Sequence, residues 1–209
     1  MKPDTDKTIH PSKRLCQSAC FETSAARPEQ FPAAAGPEIG FSGRSNAGKS
    51  STLNRLCQQK QLARVSKTPG RTQMVNFFRL SNDARLVDLP GYGYARVPET
   101  EKRHWAGLIE SYLSGRETLK GVIIVMDARR PMGDKDRLML EWCRHYAIPA
   151  HVVLNKADKL KRGELARIRQ KADAALRKDF ESVSLQTFSA LKGTGIDELH
   201  TKLDEWLLE

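Results

Sequence analysis

The chain has 209 residues, a length that fits one domain with short appendages and leaves little room for a second hydrophobic core. With 39% hydrophobic residues it holds enough apolar material for a packed globule, which excludes a wholly disordered chain. Its longest apolar runs, such as residues 122–126, are far shorter than the roughly 18 residues that a membrane span needs. The first charged residues precede no hydrophobic stretch, so we expect no secretory signal and a soluble, cytoplasmic protein.

The chain is basic, with 35 lysines and arginines against 25 aspartates and glutamates and a formal net charge of +10. Residues 39–82 contain eight basic residues and no acidic one, and residues 159–178 contain eight basic residues and two acidic ones. Such an excess favours polyanionic partners, either nucleic acid or anionic lipid, although charge alone is equally consistent with a role in solubility.

Taken in chain order, residues 1–18 are polar and unpatterned, and we predict a disordered lead-in before a single domain over residues 19–209. Predicted strands and helices then alternate, which favours a three-layer α/β fold with helices on both faces of the sheet. Several strands are continuous apolar runs, typical of a mostly parallel sheet that is buried on both faces. The predicted strands are residues 20–24, 38–42, 75–80, 85–89, 122–127, 150–155 and 185–189, and the predicted helices are residues 49–58, 99–113, 134–145, 163–180 and 196–208.

Residues 43–50 match the phosphate-loop pattern G-x-x-x-x-G-K-[ST] directly after a predicted strand and at the start of a predicted helix, the context that this motif requires. Its glycines let backbone N–H groups surround the phosphates, and the N-terminus of the helix adds a positive partial charge. We expect Lys49 to reach the β and γ phosphates and the Ser50 hydroxyl to ligate magnesium. The predicted nucleotide contacts are Gly43, Arg44, Ser45, Asn46, Ala47, Gly48, Lys49, Ser50 and Ser51.

A D-x-x-G segment closes the strand predicted over residues 85–89. Its aspartate is expected to hold magnesium through water, and the amide of its glycine to meet the γ-phosphate. The motif is a common turn when it occurs alone, so its weight comes from its place after a phosphate loop. The predicted contacts are Asp88, Leu89, Pro90 and Gly91.

A third motif, N-K-x-D, ends the strand predicted over residues 150–155. The carboxylate of Asp158 can accept from both the ring N–H and the exocyclic amine of guanine, while the stem of Lys156 covers the base. Adenine lacks this donor pair, so a carboxylate left unpaired would select against it. A backbone N–H after the next strand is expected near the guanine carbonyl. The predicted contacts are Asn155, Lys156, Ala157 and Asp158, followed by Phe188, Ser189 and Ala190.

These motifs follow one another on predicted strand ends, where ligands bind in open α/β sheets, and they predict a P-loop fold of the small-GTPase type. Such a protein needs a mobile threonine between the phosphate loop and Asp88 that completes the magnesium shell when the γ-phosphate is present. Thr68 and Thr72 both qualify by spacing, and Pro69-Gly70 could equally form a plain turn.

The strings Gly-Arg-Ser-Asn-Ala-Gly-Lys-Ser-Ser, Thr-Pro-Gly-Arg-Thr-Gln, Asn-Phe-Phe, Asp-Leu-Pro-Gly-Tyr-Gly-Tyr-Ala and Asn-Lys-Ala-Asp together resemble the bacterial EngB (YihA/YsxC) GTPases of the TrmE–Era–EngA group. The resemblance covers residues 20–208 and implies a sheet of six or seven strands, one of them antiparallel. It implies Thr72 as the magnesium threonine. The contacts that it adds are Gly70, Arg71, Thr72 and Gln73.

The same resemblance implies a magnesium-dependent GTPase that acts as a switch in assembly of the large ribosomal subunit, with a link to cell division through septation. The candidate catalytic residues are then Lys49, Thr72 and Gly91, and the candidate magnesium ligands are Ser50, Thr72 and Asp88. We expect a monomer whose partners are GTP or GDP and the large subunit or its precursor, and no membrane partner.

Two positions bear on the rate of hydrolysis. Ras-like enzymes place a water-orienting glutamine directly after D-x-x-G, and this chain has Tyr92 there, so we expect slow hydrolysis by the isolated protein. Asn46 stands where related GTPases ligate a potassium ion; capping of the loop backbone by its side chain is the alternative.

Two other classes share some of these features. A nucleotide kinase shares the phosphate loop, but it needs a lid and a second substrate site and has no use for the N-K-x-D motif. A membrane or septum adaptor that binds GTP only to hold its shape would be expected to carry an amphipathic basic helix or a lipidation signal, which the sequence lacks.

Overall fold

A computed structural model describes residues 10–63, 74–92, 99–180 and 183–208. Within these ranges the chain forms one seven-stranded sheet and six α-helices. The strands are β1 (Cys20–Ala25), β2 (Glu38–Gly43), β3 (Val75–Arg79), β4 (Arg85–Asp88), β5 (Leu119–Asp127), β6 (Ala150–Asn155) and β7 (Val183–Thr187). The helices are α1 (Pro11–Gln17), α2 (Lys49–Leu56), α3 (Glu99–Gly115), α4 (Asp134–His145), α5 (Arg162–Asp179) and α6 (Ile196–Leu208).

The sheet has the strand order β1-β3-β4-β2-β5-β6-β7. Strand β3 is antiparallel to both of its neighbours, and the pairs from β4 through β7 are parallel. The prediction of a mostly parallel sheet with one antiparallel strand is therefore confirmed. Because Phe41 pairs with Asp88 and Gly43 with Val125, strands β2, β4 and β5 end at the same edge of the sheet.

Two hydrophobic layers cover the faces of the sheet, one with α3, α4 and α5 and the other with α1, α2 and α6. Alternate residues of β5 point into opposite layers. Val122 and Ile124 pack in the first layer, whereas Ile123 and Val125 pack in the second, and all four are fully buried. This placement explains why the strand is a continuous apolar run rather than an in–out alternation.

The prediction of disorder over residues 1–18 is wrong for residues 10–18, and residues 1–9 lie outside the described ranges. Helix α1 packs on α6 through polar contacts: the Ser12 backbone N–H donates to Asp204 (2.7 Å), and His10 Nδ1 contacts the same carboxylate (2.8 Å). Cys16 is fully buried between α1 and the rest of its layer. The helix depends on these long-range contacts, which is why the local sequence pattern missed it.

The remaining boundaries agree closely with the predicted ones. The largest differences are at the start of β5, predicted at residue 122 and observed at Leu119, and in β7, predicted at residues 185–189 and observed at Val183–Thr187. None of the described helices is long and apolar enough to cross a membrane.

A charged cluster closes the amino ends of the central strands. Glu38, the first residue of β2, is fully buried, and its carboxylate accepts from Tyr112 Oη (3.0 Å) and from Arg116 Nε (2.9 Å) and Nη2 (2.5 Å). Arg85 on β4 also donates to Glu38 (3.3 Å) and makes a bidentate pair with Glu22 on β1 (2.7 and 3.0 Å). This cluster joins the strands to α3 at the edge opposite the motifs.

Candidate functional site

The predicted phosphate loop lies between the end of β2 and the start of α2. Two of its glycines meet a specific requirement. Gly43 runs so close to β5 that a Cβ there would lie 2.5 Å from the carbonyl oxygen of Val125. Gly48 has a φ of +98°, and a Cβ there would overlap the side-chain amide of Asn155. Both positions therefore favour glycine.

The loop presents backbone donors at the start of a helix. The Ala47 N–H closes a turn on the Arg44 carbonyl (3.0 Å), and the Gly48 carbonyl accepts the first helical bond, from the N–H of Thr52 (2.8 Å). The N–H groups of the first turn of α2 have no intrahelical acceptor, because a helix leaves its first four donors open. They lie at the positive end of the helix dipole, and the arrangement suits phosphate oxygens.

The D-x-x-G segment is bonded directly to this loop. Ser45 N–H donates to the Tyr92 carbonyl (2.8 Å), and the Leu89 N–H donates to Phe41 on β2 (2.9 Å). Gly91 lies against the loop, with a Cβ position 3.5 Å from the Gly43 carbonyl oxygen. The structure thus brings the second motif to the position where the γ-phosphate of a bound nucleotide would be expected.

Lys49 and Asp88 form an ion pair at the mouth of the loop, with Nζ in contact with Oδ1. Their side chains are 11% and 9% exposed. Ser50 and Ser51 follow in the first turn of α2 and are half-buried. A hydroxyl and a carboxylate oxygen at one end of a phosphate loop are hard ligands of the kind that magnesium prefers, so these residues fit a magnesium–nucleotide complex.

Asn155, at the end of β6, joins the three parts of the site. Its side-chain Nδ2 donates to the Ala47 carbonyl in the phosphate loop (2.9 Å), and its Oδ1 accepts from the Ala190 N–H (3.1 Å). The residue is only 1% exposed. Its main role is therefore to fix the phosphate loop and the Ser189-Ala190 segment relative to each other.

The predicted base-binding carboxylate is held in place and ionised. Asp158 accepts a hydrogen bond from the Ser189 hydroxyl (2.5 Å), and this bond lowers the pKa of the carboxyl group. Ser189 is itself 1% exposed and fixed by the Lys192 N–H, which donates to its Oγ (3.0 Å). The bond from Ser189 fixes the position of one carboxylate oxygen. The ionised carboxylate remains a hydrogen-bond acceptor at neutral pH.

Lys156 bridges the phosphate loop and β5. It has a φ of +65°, and its Nζ contacts the carbonyl oxygen of Asn46 and donates to Asp127 Oδ2 (2.9 Å). Asp127 also accepts from Arg129 Nη2 (2.6 Å) and Nε (2.9 Å), and these bonds, with that from Lys156, lower the pKa of its carboxyl group.

The sequence reasoning missed three charged residues here. A cleft of about 410 Å³ is lined by Asp127, Arg129 and Arg130 together with predicted contacts. The sequence did contain a feature that indicates Asp127, because this residue ends a parallel strand at the same edge of the sheet as the motifs. The predicted residues lining the cleft are Arg44, Ser45, Asn46, Ala47 and Lys156.

Several predicted contacts have side chains that are buried in the protein. Ala47, Leu89 and Phe188 are buried in the hydrophobic layers, at 2%, 0% and 0% exposure. They contribute backbone groups: the Phe188 carbonyl accepts from the Ala157 N–H (3.0 Å), for example. The Pro90 carbonyl accepts from the Trp105 indole (3.1 Å).

Tyr92 occupies the position after D-x-x-G and points into the core. It is 3% exposed, and its hydroxyl donates to the buried Asp136 of α4 (2.9 Å). Burial raises the pKa of Tyr92 well above its ordinary value, so the hydroxyl stays protonated. The side chain therefore anchors the segment rather than facing the cleft.

The predicted mobile segment lies outside the described residues. This applies to both candidate magnesium threonines and their neighbours, namely Thr68, Gly70, Arg71, Thr72 and Gln73.

Comparison with known proteins adds a family and a set of similar folds. A family model described as "50S ribosome-binding GTPase" matches residues 38–156, and one described as "Elongation factor Tu GTP binding domain" matches residues 109–209. A probable GTP-binding protein engB of known structure is 24% identical, with a TM-score of 0.66 over 82% of this chain and 98% of that chain.

Two structures of Era are similar in fold. Era from Aquifex aeolicus bound to GDP and AlF4⁻ is 22% identical with a TM-score of 0.62, over 82% of this chain and 57% of its own. Era in complex with MgGDPNP and nucleotides 1506–1542 of 16S ribosomal RNA is 24% identical with a TM-score of 0.64, over 85% of this chain and 58% of its own. The chain thus spans a little more than half the length of these Era proteins.

The first family model covers more than half of the 209 residues and includes the phosphate loop, the D-x-x-G segment and the start of the N-K-x-D motif. With a phosphate loop, a D-x-x-G segment and the ionised carboxylate of Asp158 at one edge of the sheet, the protein belongs to the 50S ribosome-binding GTPase family.

Proposed function

We propose that the protein is a magnesium-dependent GTPase of the EngB type that acts as a switch in assembly of the large ribosomal subunit. One observation carries the nucleotide part of the proposal: Asn155 ties the phosphate loop to the segment whose Ser189 orients Asp158. A single ligand with phosphates at one end and a guanine at the other would span these groups.

Hydrolysis is assigned to groups around the γ-phosphate position. Lys49 would stabilise negative charge on the phosphates, the Gly91 amide would contact the γ-phosphate, and Ser50 with Asp88 would hold magnesium, which would neutralise charge on the phosphates. Thr72 completes the set on the strength of the family resemblance. The buried hydroxyl of Tyr92 is engaged by Asp136 and cannot orient water, which supports slow hydrolysis by the isolated protein. Potassium at Asn46 is part of the same proposal.

The ribosomal part rests on three supports. They are the description of the matching family, the net charge of +10, and the fold shared with Era, a protein seen with a segment of 16S ribosomal RNA. We place the protein in the cytoplasm as a monomer, with the link to septation taken from the EngB resemblance.

Nucleotide selectivity tests the first part. We expect wild-type protein to bind GTP at least about 100-fold more tightly than ATP, because a site built to pair with a donor rejects a base that lacks it. Asp158→Asn should lose GTP affinity and gain affinity for XTP, measured by titration with each nucleotide. Asp173→Asn, which alters a carboxylate on α5, is the matched control and should bind like wild type. Equal wild-type affinity for ATP and GTP would remove the GTPase assignment.

Sedimentation with large ribosomal subunits tests the second part. We expect the form bound to a non-hydrolysable GTP analogue to bind more tightly than the GDP form, by a coupling of about 1–3 kcal/mol, or roughly 5- to 150-fold. Thr72→Ala should remove this difference and Thr68→Ala should leave it. Binding that ignores the nucleotide would contradict the switch.

A further inference from the structure

Helix α5 is attached to the fold by a narrow contact. It has 18 residues, of which only Ala172 and Leu176 are buried, and both lie in the layer shared with α3 and α4. Most of its circumference is therefore open to solvent, and the side chains there are not determined by packing.

The open surface of α5, together with the residues just before it, is strongly positive. All eight basic residues between positions 159 and 178 are exposed, against Glu164 and the half-buried Asp173. Asp173 is already paired with Arg177 (2.8 Å). The exposed basic residues are Lys159, Lys161, Arg162, Arg167, Arg169, Lys171, Arg177 and Lys178.

Three of these residues form one line along the helix, which we call the α5 stripe: Arg167, Lys171 and Lys178. At 100° per residue they lie within about 40° of one another, on the side away from Ala172 and Leu176. At 1.5 Å per residue the line is about 17 Å long. Among the described residues, no carboxylate lies within salt-bridge distance of the three.

The fold does not need this stripe. Like charges four residues apart, as in Arg167 and Lys171, destabilise a helix by a few tenths of a kcal/mol, and the helix's Asp173 pairs with Arg177 rather than with either of them. A straight row of cations instead complements a row of phosphates on a nucleic acid backbone. A membrane surface fits less well, because the large exposed hydrophobic residues of the described chain, Phe21, Leu138, Leu191 and Leu208, all lie outside α5.

We propose that the α5 stripe is a docking surface for the phosphate backbone of double-stranded RNA in the ribosomal particle, an inference that rests on the proposed ribosomal function. Duplex RNA is recognised mainly through its shape and backbone, which a row of cations along one side of a helix can follow without reading sequence. Because α5 follows the N-K-x-D motif in the sequence, whereas the expected mobile threonine precedes Asp88, we expect this contact to be the same in the GTP and GDP forms.

The experiment compares two variants of equal charge. The stripe variant carries Arg167→Glu, Lys171→Glu and Lys178→Glu, and the control carries Lys13→Glu, Arg14→Glu and Lys120→Glu, which alter exposed residues elsewhere. We would measure the binding of each variant at several salt concentrations. The binding partners are a 24-base-pair RNA duplex of arbitrary sequence, large ribosomal subunits, and vesicles with anionic phosphatidylglycerol. GTP binding and hydrolysis are measured on the same proteins.

We expect the stripe variant to bind duplex and subunits at least about tenfold more weakly than the control, with nucleotide binding and hydrolysis unchanged. The ratio of GTP-form to GDP-form affinity for subunits should stay at its wild-type value. A further variant in which the three stripe residues are replaced by alanine should lower the slope of log K against log salt by about 1 for each lost contact.

The failures are distinguishable. Equal duplex binding by the stripe and control variants overturns the docking surface and leaves the GTPase proposal intact, and so does a stripe that is needed for vesicles but not for RNA. If wild type binds duplex through the stripe but no ribosomal subunit, the stripe is an RNA surface and the ribosomal proposal fails instead.

Discussion

Strand β2 has charged clusters at both of its ends, and the two clusters are completed in different ways. At the amino end, both carboxylate oxygens of Glu38 are occupied by Arg116, with Arg85 and Tyr112 adding one contact each, and the group is fully buried. The protein itself supplies all of these partners. A buried charge of this kind holds strands together and is hidden from any ligand.

At the carboxyl end of β2, several hydrogen-bonding groups are left open to a ligand. The first backbone donors of α2 have no intrahelical acceptors, Asp158 has one oxygen engaged by Ser189, and Arg44 is exposed beside the cleft. Burial and charge therefore do not by themselves distinguish a functional site from a structural one. The completeness of the hydrogen bonding does, and the predictions below test that difference.

The largest effect on stability is expected at the amino end. Glu38→Ala should lower the free energy of unfolding by about 3–5 kcal/mol, because it leaves Arg116 and Tyr112 buried without an acceptor. Urea denaturation measures the loss. Glu22→Ala, which removes a partly exposed partner of Arg85, should cost no more than about 1 kcal/mol. Similar losses for the two variants would contradict the structural role of Glu38.

The next effect is on catalysis. Lys49→Ala should slow GTP hydrolysis by about 10²- to 10³-fold, or about 3–4 kcal/mol in the barrier, because it removes a cation that we expect to contact the phosphates. The loss of stability should be smaller than that of Glu38→Ala, since Asp88 lies at the open strand end. Single-turnover assays measure the rate of hydrolysis. The control is Lys60→Ala, which alters an exposed lysine beyond α2. A stability loss with hydrolysis intact would assign Lys49 to the fold.

Gly48→Ala should weaken nucleotide binding by about 1–3 kcal/mol, because the new methyl group displaces Asn155 and strains a backbone with a φ of +98°. Isothermal titration with GDP measures the change. Gly163→Ala is the matched control: a Cβ there meets nothing within 4 Å, and alanine favours the helix. The control should bind GDP like wild type.

The smallest effect is a pH dependence away from the nucleotide. His151 bonds Ser184 (2.7 Å) and Gln186 (2.9 Å), and burial lowers its pKa from 6.5 to about 4. Between these two pH values His151 is protonated in the unfolded chain and neutral in the folded one. The free energy of unfolding therefore falls as the pH drops from 6.5 towards 4.

We expect this histidine to account for about 1–2 kcal/mol of the loss between about pH 7 and about pH 5.5. His151→Gln should flatten the profile in urea denaturation while His200, which has a similarly lowered pKa, keeps part of it. A profile identical to wild type would contradict the assignment.

The sequence by itself determined the three-layer fold, most element boundaries and the phosphate-loop, D-x-x-G and N-K-x-D motifs. These depend on local spacing: apolar runs for buried strands, glycines where the backbone turns sharply, and a carboxylate four positions into a motif. The Thr72 assignment is still a prediction, because residues 64–73 lie outside the described ranges.

Tertiary structure decided the contacts between distant residues. Helix α1 forms because Asp204 and α6 receive it, Asn155 joins Ala47 to Ala190, and Tyr92 turns inward to Asp136. Each contact joins residues at least 35 positions apart, so no local pattern could indicate it. The sequence sets which residues are neighbours along the chain. Only the packing of the sheet and its two helical layers decides which distant side chains come into contact.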